Sequence, residues 1–297
     1  MNAKTDDEIE SALNGAIEGN ALGEYLLMGN WNYAPVEPGK ITCCIVAVSS
    51  AQPELSWKVH YSMKVWGTVI SRVSPVCYVL GTGNGEIVRV TGESRETFQT
   101  DTVGAIHGIW IRNGLDCWFT HRDGLSLWQG GAVSKSVAGG RLYGIHGLQS
   151  DFAVAVGMVG KVMRFDGSNW REVDSVPTNK MLVAVHCISN KEIYIGGRSG
   201  SLFRWDGGDR WTKIKVIGDD HSIVEESIYT ITQYLGDIYV GLGYYGLYRI
   251  AGNEARKVKG VYSSKANVVE GKLLVTGDDS FAEFDGTTWR TISVRLP

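Results

Sequence analysis

Three stretches of this chain repeat one pattern in the same phase: GMVGKVMRFDGSNWREV from Gly157, GRSGSLFRWDGGDRWTKI from Gly197 and GDDSFAEFDGTTWRTI from Gly277. Each opens on glycine, makes a short turn, runs as an alternating strand, turns again on Asp-Gly and resumes with tryptophan. The Asp-Gly pairs are Asp166-Gly167, Asp206-Gly207 and Asp285-Gly286, and the tryptophans are Trp170, Trp211 and Trp289. Asp-Gly between alternating apolar runs is a strong hairpin signal, because glycine accepts the positive φ that such turns require. A repeat of this length fixes the architecture more tightly than any single element does.

Degraded copies fill the gaps: GTGNGEIVRVTGESRETF from Gly81, RDGLSLWQGGAVSKSV from Arg122 and GLGYYGLYRIAGNEARKV from Gly241. With them the turn glycines fall at 92, 130, 167, 207, 252 and 286. One more period towards the N-terminus lands on Glu54, three residues before Trp57, and supplies a seventh, weaker copy. Each copy is preceded by a short apolar strand, such as DFAVAVG or KEIYIGG, and by a further apolar segment, such as LYGIHGL or LVAVHCI. Four strands in about 40 residues make one blade of a β-propeller. A blade cannot bury both of its faces alone, so neighbouring blades must stack around a ring. The high glycine content, 38 of 297 residues, fits a chain of many tight turns. The expected fold is therefore all-β: a single propeller of about seven four-stranded blades over residues 21–297. Six blades and an N-terminal module is the alternative.

Residues 1–20 read differently. Thr5-x-x-Glu8 has the form of a capping box, and Asp6 and Asp7 suit the positive end of a helix dipole. Ile9, Leu13 and Ile17 recur every four residues, and Gly19-Asn20 supplies a stop. The spacing predicts a short amphipathic helix that either caps the propeller or docks into a partner.

The unit of apolar strand, G-x-x-G, alternating strand, then (F/W)-D-G-x-x-W resembles the short propeller repeats common in bacterial proteins, of the form "aVG..G.i..ydG..W". The resemblance is best over residues 138–216 and 261–294. It implies the fold and a bacterial source; members of that broad group bind proteins, assist assembly or serve as extracellular modules. WD-type repeats fit less well, because Trp205-Asp206 occurs once and at a different place in the repeat. Sialidase-like Asp-boxes separate Asp from Gly, which are adjacent here.

Charge and cysteine content narrow the function. With 29 basic and 32 acidic residues and no basic run, the chain lacks the electrostatic footprint of a nucleic-acid binder. No apolar segment reaches 18 residues, so no membrane helix is expected. Five cysteines, at 43, 44, 77, 117 and 187, include no C-x-x-C pair. They read as buried free thiols in a reducing, cytoplasmic setting. No nucleophile elbow, zinc-protease motif or P-loop occurs, and no cofactor is implied; Gly81-Thr82-Gly83-Asn84-Gly85 precedes a strand and reads as a turn.

Four features go beyond the repeat. His107, His146 and His186 fall 39 and 40 residues apart in first strands, where convergence in the central channel would make a transition-metal site. The long 207–252 interval carries a polar insertion with Asp219, Asp220, His221, Glu225 and Glu226; long loops on rigid scaffolds commonly carry recognition. Tyr244 and Tyr245 are adjacent, so one of them should face outward as an interface anchor. The N-terminal helix is the fourth. The leading expectation is a non-enzymatic scaffold for a protein partner, either a neutralising, immunity-type protein or an assembly partner. A glycan-binding, lectin-like propeller is the alternative, and a metal-dependent lyase or hydrolase with its site at the channel mouth is the third.

Overall fold

The computed structural model describes residues 10–19, 24–32, 42–49, 56–102, 104–208, 210–277 and 280–293. Within them lie seven sheets, antiparallel but for one added strand in blade 6 and each made of strands consecutive in the chain: blade 1 over 10–63, blade 2 over 67–99, blade 3 over 108–138, blade 4 over 142–172, blade 5 over 182–213, blade 6 over 215–259 and blade 7 over 265–293. The first strands of neighbouring blades touch all the way round, that of blade 1 against those of blades 2 and 7, so the ring closes about a central channel.

Period-2 alternation explains why the blades stack. In the second strand of blade 4, Phe152–Gly157, Ala153 and Ala155 join a core shared with blade 3, while Val154 and Val156 join one shared with blade 5. Both faces of the strand are buried, which is why it reads as a continuous apolar run. Seven such apolar clusters fill the seven gaps between blades. The six predicted turn glycines all sit at positive φ between third and fourth strands. Each Asp-Gly motif pairs two aromatic residues across its turn: Phe165 with Trp170, Trp205 with Trp211, and Phe284 stacked on Trp289 at 4.6 Å. Cys43 and Cys44 point into the gaps on opposite sides of blade 1, and all five cysteines are buried free thiols.

The N-terminal helix is not formed. Glu10–Glu18 is the first strand of blade 1, paired with Glu24–Asn32. The register shifts between Leu13 and Gly15, and such a bulge lets residues three apart face the same way. Leu13 and Ala16 therefore both pack towards blade 7, and Ile17 packs towards blade 2, so the expected apolar stripe is divided between two faces. Thr5, Glu8 and the other residues of the expected cap lie outside the described residues. The propeller thus includes residues below 21, and the only helical geometry among the described residues is one 3-10 turn at Met158–Gly160.

Blade 6 has a fifth strand. Lys215–Ile217 runs parallel to the outer strand Glu254–Lys259, so the insertion begins by covering an exposed sheet edge.

Candidate partner-binding face

Because the four strands of a blade alternate in direction, two kinds of loop emerge on the same face of the ring. They are the turn between second and third strands and the connection to the next blade. Backbone hydrogen bonds join them across the gaps from blade 4 to blade 7. Gly160 N–H donates to Lys180 O at 2.8 Å, Gly200 N–H to Glu226 O at 3.0 Å, and Gly243 N–H to Ser263 O at 3.1 Å. This lacing makes the face a rigid surface rather than a set of independent loops.

The face also carries most of the large apolar side chains exposed among the described residues. Among the described residues, eleven large apolar side chains are exposed, and seven lie in these turns and connections. Trp66 is in the connection from blade 1 to blade 2. Met158 and Val159 form the blade 4 turn, with Val159 70% exposed, and Ile223 and Tyr229 lie between blades 5 and 6. Tyr244, 80% exposed, and Tyr245 form the blade 6 turn. The Tyr244 and Tyr262 rings meet edge to face at 4.3 Å, and the Glu226 carboxylate beside the Tyr245 hydroxyl raises the Tyr245 pKa. Tyrosines 229, 244, 245 and 262 thus gather over the junction of blades 6 and 7, next to the insertion.

The insertion has an internal order of its own. Beyond Ile217 the chain reverses through Gly218–Ser222: Gly218 N–H donates to Ser222 O at 2.9 Å, and His221, at φ 63°, donates its N–H to Gly218 O at 3.0 Å. The Asp220 carboxylate accepts from the Ser222 hydroxyl and N–H, at 2.7 and 3.0 Å, and these bonds hold it below the usual carboxylate range. Asp220 and His221 therefore also shape the turn. Asp219 reaches solvent with Lys257 at 3.8 Å, and exposed Glu225 and Glu226 lie beside the Gly200 turn of blade 5. The structure brings Glu226 and Tyr245 into contact, as adjacent parts of one surface.

The histidines are placed otherwise. His146 and His186 pair with Val154 and Tyr194, the third residues of their second strands, and their rings lie 4.3 Å apart. In blade 3 the matching position is Trp110, paired with Trp118. His107 precedes the strand Gly108–Asn113 and packs on Tyr143 at 4.8 Å. Equal sequence intervals conceal a difference in register, so His107 is not brought to the other two. His146 Nδ1 accepts the Cys187 N–H at 3.1 Å. Burial lowers the pKa of His107 and His146 to about 4 and, with His146 alongside, that of His186 to about 3. Among the described residues, no group of three or more His, Cys, Asp or Glu side chains is placed to hold a metal ion.

Sequence reasoning passed over Trp66, Met158, Val159, Ile223, Tyr229 and Tyr262. The available signal was apolar residues inside glycine-bounded turns, where polar residues are the rule; Met158-Val159 between Gly157 and Gly160 is the clearest case.

No protein-family model matches the chain. Among curated proteins, "Immune protein Tsi7" of Pseudomonas aeruginosa strain PAO1 is 25% identical over 202 residues, covering 64% of this chain. The chain spans 63% of that protein's length. Solved propellers match closely in shape. The structure of U3-55K has a TM-score of 0.68 at 11% identity, covering 91% of each chain. The WD40 propeller domain of Doa1 has 0.67 at 10% identity, covering 92% of this chain and 95% of that one. At these identities the likeness establishes the fold: the chain is a seven-bladed β-propeller. No helix of the described residues is long and apolar enough to cross a membrane.

Proposed function

We propose that this chain is a protein-binding propeller of the immunity type, which neutralises a partner protein by covering it with the face just described. The observation that carries the reading is the concentration of exposed tyrosine, tryptophan and aliphatic side chains on that face. Exposed apolar patches on otherwise well-packed proteins mark interaction sites, and tyrosine and tryptophan are the residue types that most often anchor interfaces. A ring laced by backbone bonds offers a preorganised surface, which reduces the ordering cost of association. The similarity to a protein named as an immune protein supports neutralisation over assembly. Five buried thiols suit a reducing cytoplasm.

The test has two arms. The intact protein, tagged and purified from its native cells, should recover one stoichiometric protein, and a Tyr229→Ala/Tyr244→Ala variant should lose it. That protein, produced alone in a host, should impair growth, and co-production of this chain should restore it. Equal recovery by both forms, or a recovered protein without effect on growth, contradicts the proposal.

A further inference from the structure

Resting on the reading that this face binds a protein, we infer that the partner meets it with a basic surface, laying lysine or arginine side chains across the tyrosines of blade 6 and against the carboxylates of the adjoining insertion. The segment 218–229 contains four carboxylates and no lysine or arginine, whereas the whole chain carries a net charge of only −3. The remainder of the protein is therefore close to neutral, and its negative charge is gathered beside the exposed aromatic patch. Residues 242–246 and 260–264, which hold Tyr244, Tyr245 and Tyr262, add no charge of either sign. The nearest cation of blade 6, Lys257, stands 3.8 Å from Asp219, and Arg198 is exposed on the blade 5 turn.

An acidic or apolar partner seated on the tyrosines would strip water from Glu225 and Glu226 without supplying an opposite charge, which is costly. A basic partner supplies the compensation. The same cations suit the tyrosine rings, whose faces attract ammonium and guanidinium groups. Tyr244 is the most exposed of these rings, at 80%. Complementary charge of this kind steers encounter and makes binding salt-dependent.

Fluorescence anisotropy of a labelled ten-residue arginine peptide with the full chain tests the inference, with a ten-residue glutamate peptide as the counter-probe. The arginine peptide should bind, more weakly as salt rises from about 50 to about 300 mM, and the glutamate peptide should not. The Asp219→Asn/Glu225→Gln variant should weaken arginine-peptide binding about fivefold. A variant of equal charge change in turns of the opposite face, Glu93→Gln/Asp151→Asn, should leave it unchanged. Absence of arginine-peptide binding, or equal loss in both variants, overturns the inference. The protein recovered from native cells separates the two readings. If its binding needs Tyr229 and Tyr244 but ignores both salt and Asp219→Asn/Glu225→Gln, the face stands and the basic surface falls.

Discussion

The Tyr25 hydroxyl donates to the Glu283 carboxylate across 3.1 Å, joining the second strand of blade 1 to the third strand of blade 7 over a separation of 258 residues. Glu283 is only 7% exposed and is flanked by Lys272 and Arg290, so the seam of the ring holds a carboxylate that must be compensated. Removing the hydroxyl in Tyr25→Phe withdraws one charge-assisted bond and should lower stability by about 1.5–3 kcal/mol, read from the midpoint of urea unfolding. An unchanged midpoint would show that the seam does not rely on this contact.

Each blade keeps its own four consecutive strands, so the ring closes by packing and by contacts such as Leu13 N–H to Gly277 O at 2.9 Å. Removing residues 1–18 would strip the inner strand from blade 1 and expose the cores facing blades 2 and 7. The truncated chain should aggregate or lose cooperative unfolding, as judged by size-exclusion chromatography and thermal melts. A monomeric, cooperatively folding product would mean that these residues are an appendage.

The paired histidines of blades 4 and 5 set a pH dependence. His146 and His186 keep pKa values of about 4 and about 3 in the folded protein, below the value of about 6.5 expected in the unfolded chain. The unfolded chain therefore takes up protons first as pH falls. Their contribution is complete above pH 6.5 or so and is lost progressively as pH drops towards the folded values. By about pH 5 the loss should reach roughly 1–2 kcal/mol per histidine. His146→Gln/His186→Gln should flatten the decline of stability between about pH 7 and 5, because glutamine is neutral throughout and can still accept the Cys187 N–H. A decline as steep as that of the native protein would place the titrating groups elsewhere.

Gly160 adopts φ +67°, and a Cβ there would stand 1.8 Å from Thr178 O. Gly160→Ala combines left-handed strain with a clash against backbone. It should cost at least about 1–3 kcal/mol in unfolding free energy and loosen the Met158–Gly160 turn against the connection to blade 5. Faster hydrogen exchange at Gly160 and its neighbours would be the local signature, and unaltered exchange and stability would refute it.

The ring was legible because its signals are local. An Asp-Gly turn followed by tryptophan states its geometry within a few residues, and its recurrence counts the blades even where single copies are weak. The first strand resembles a helix for an equally local reason: apolar residues four apart, as Leu13 and Ile17 are, fit a period of two as well as the turn of a helix. His107 was misplaced because connections of unequal length can hold sequence intervals constant while register slips, and register is set by pairing between strands. On the candidate face, the insertion and Tyr244-Tyr245 stood out as departures from the repeat. Trp66 and Tyr229 did not, because exposure in a connecting segment depends on how neighbouring blades close over it.

The most direct measurement of the central claim is the affinity of the purified full chain for its stoichiometric partner, compared with Tyr229→Ala/Tyr244→Ala by isothermal titration. Both side chains are exposed, so the variant should keep the native melting profile and bind at least tenfold more weakly, about 1.4 kcal/mol or more. Native affinity in a fully folded variant would contradict the assignment of this face as the binding surface.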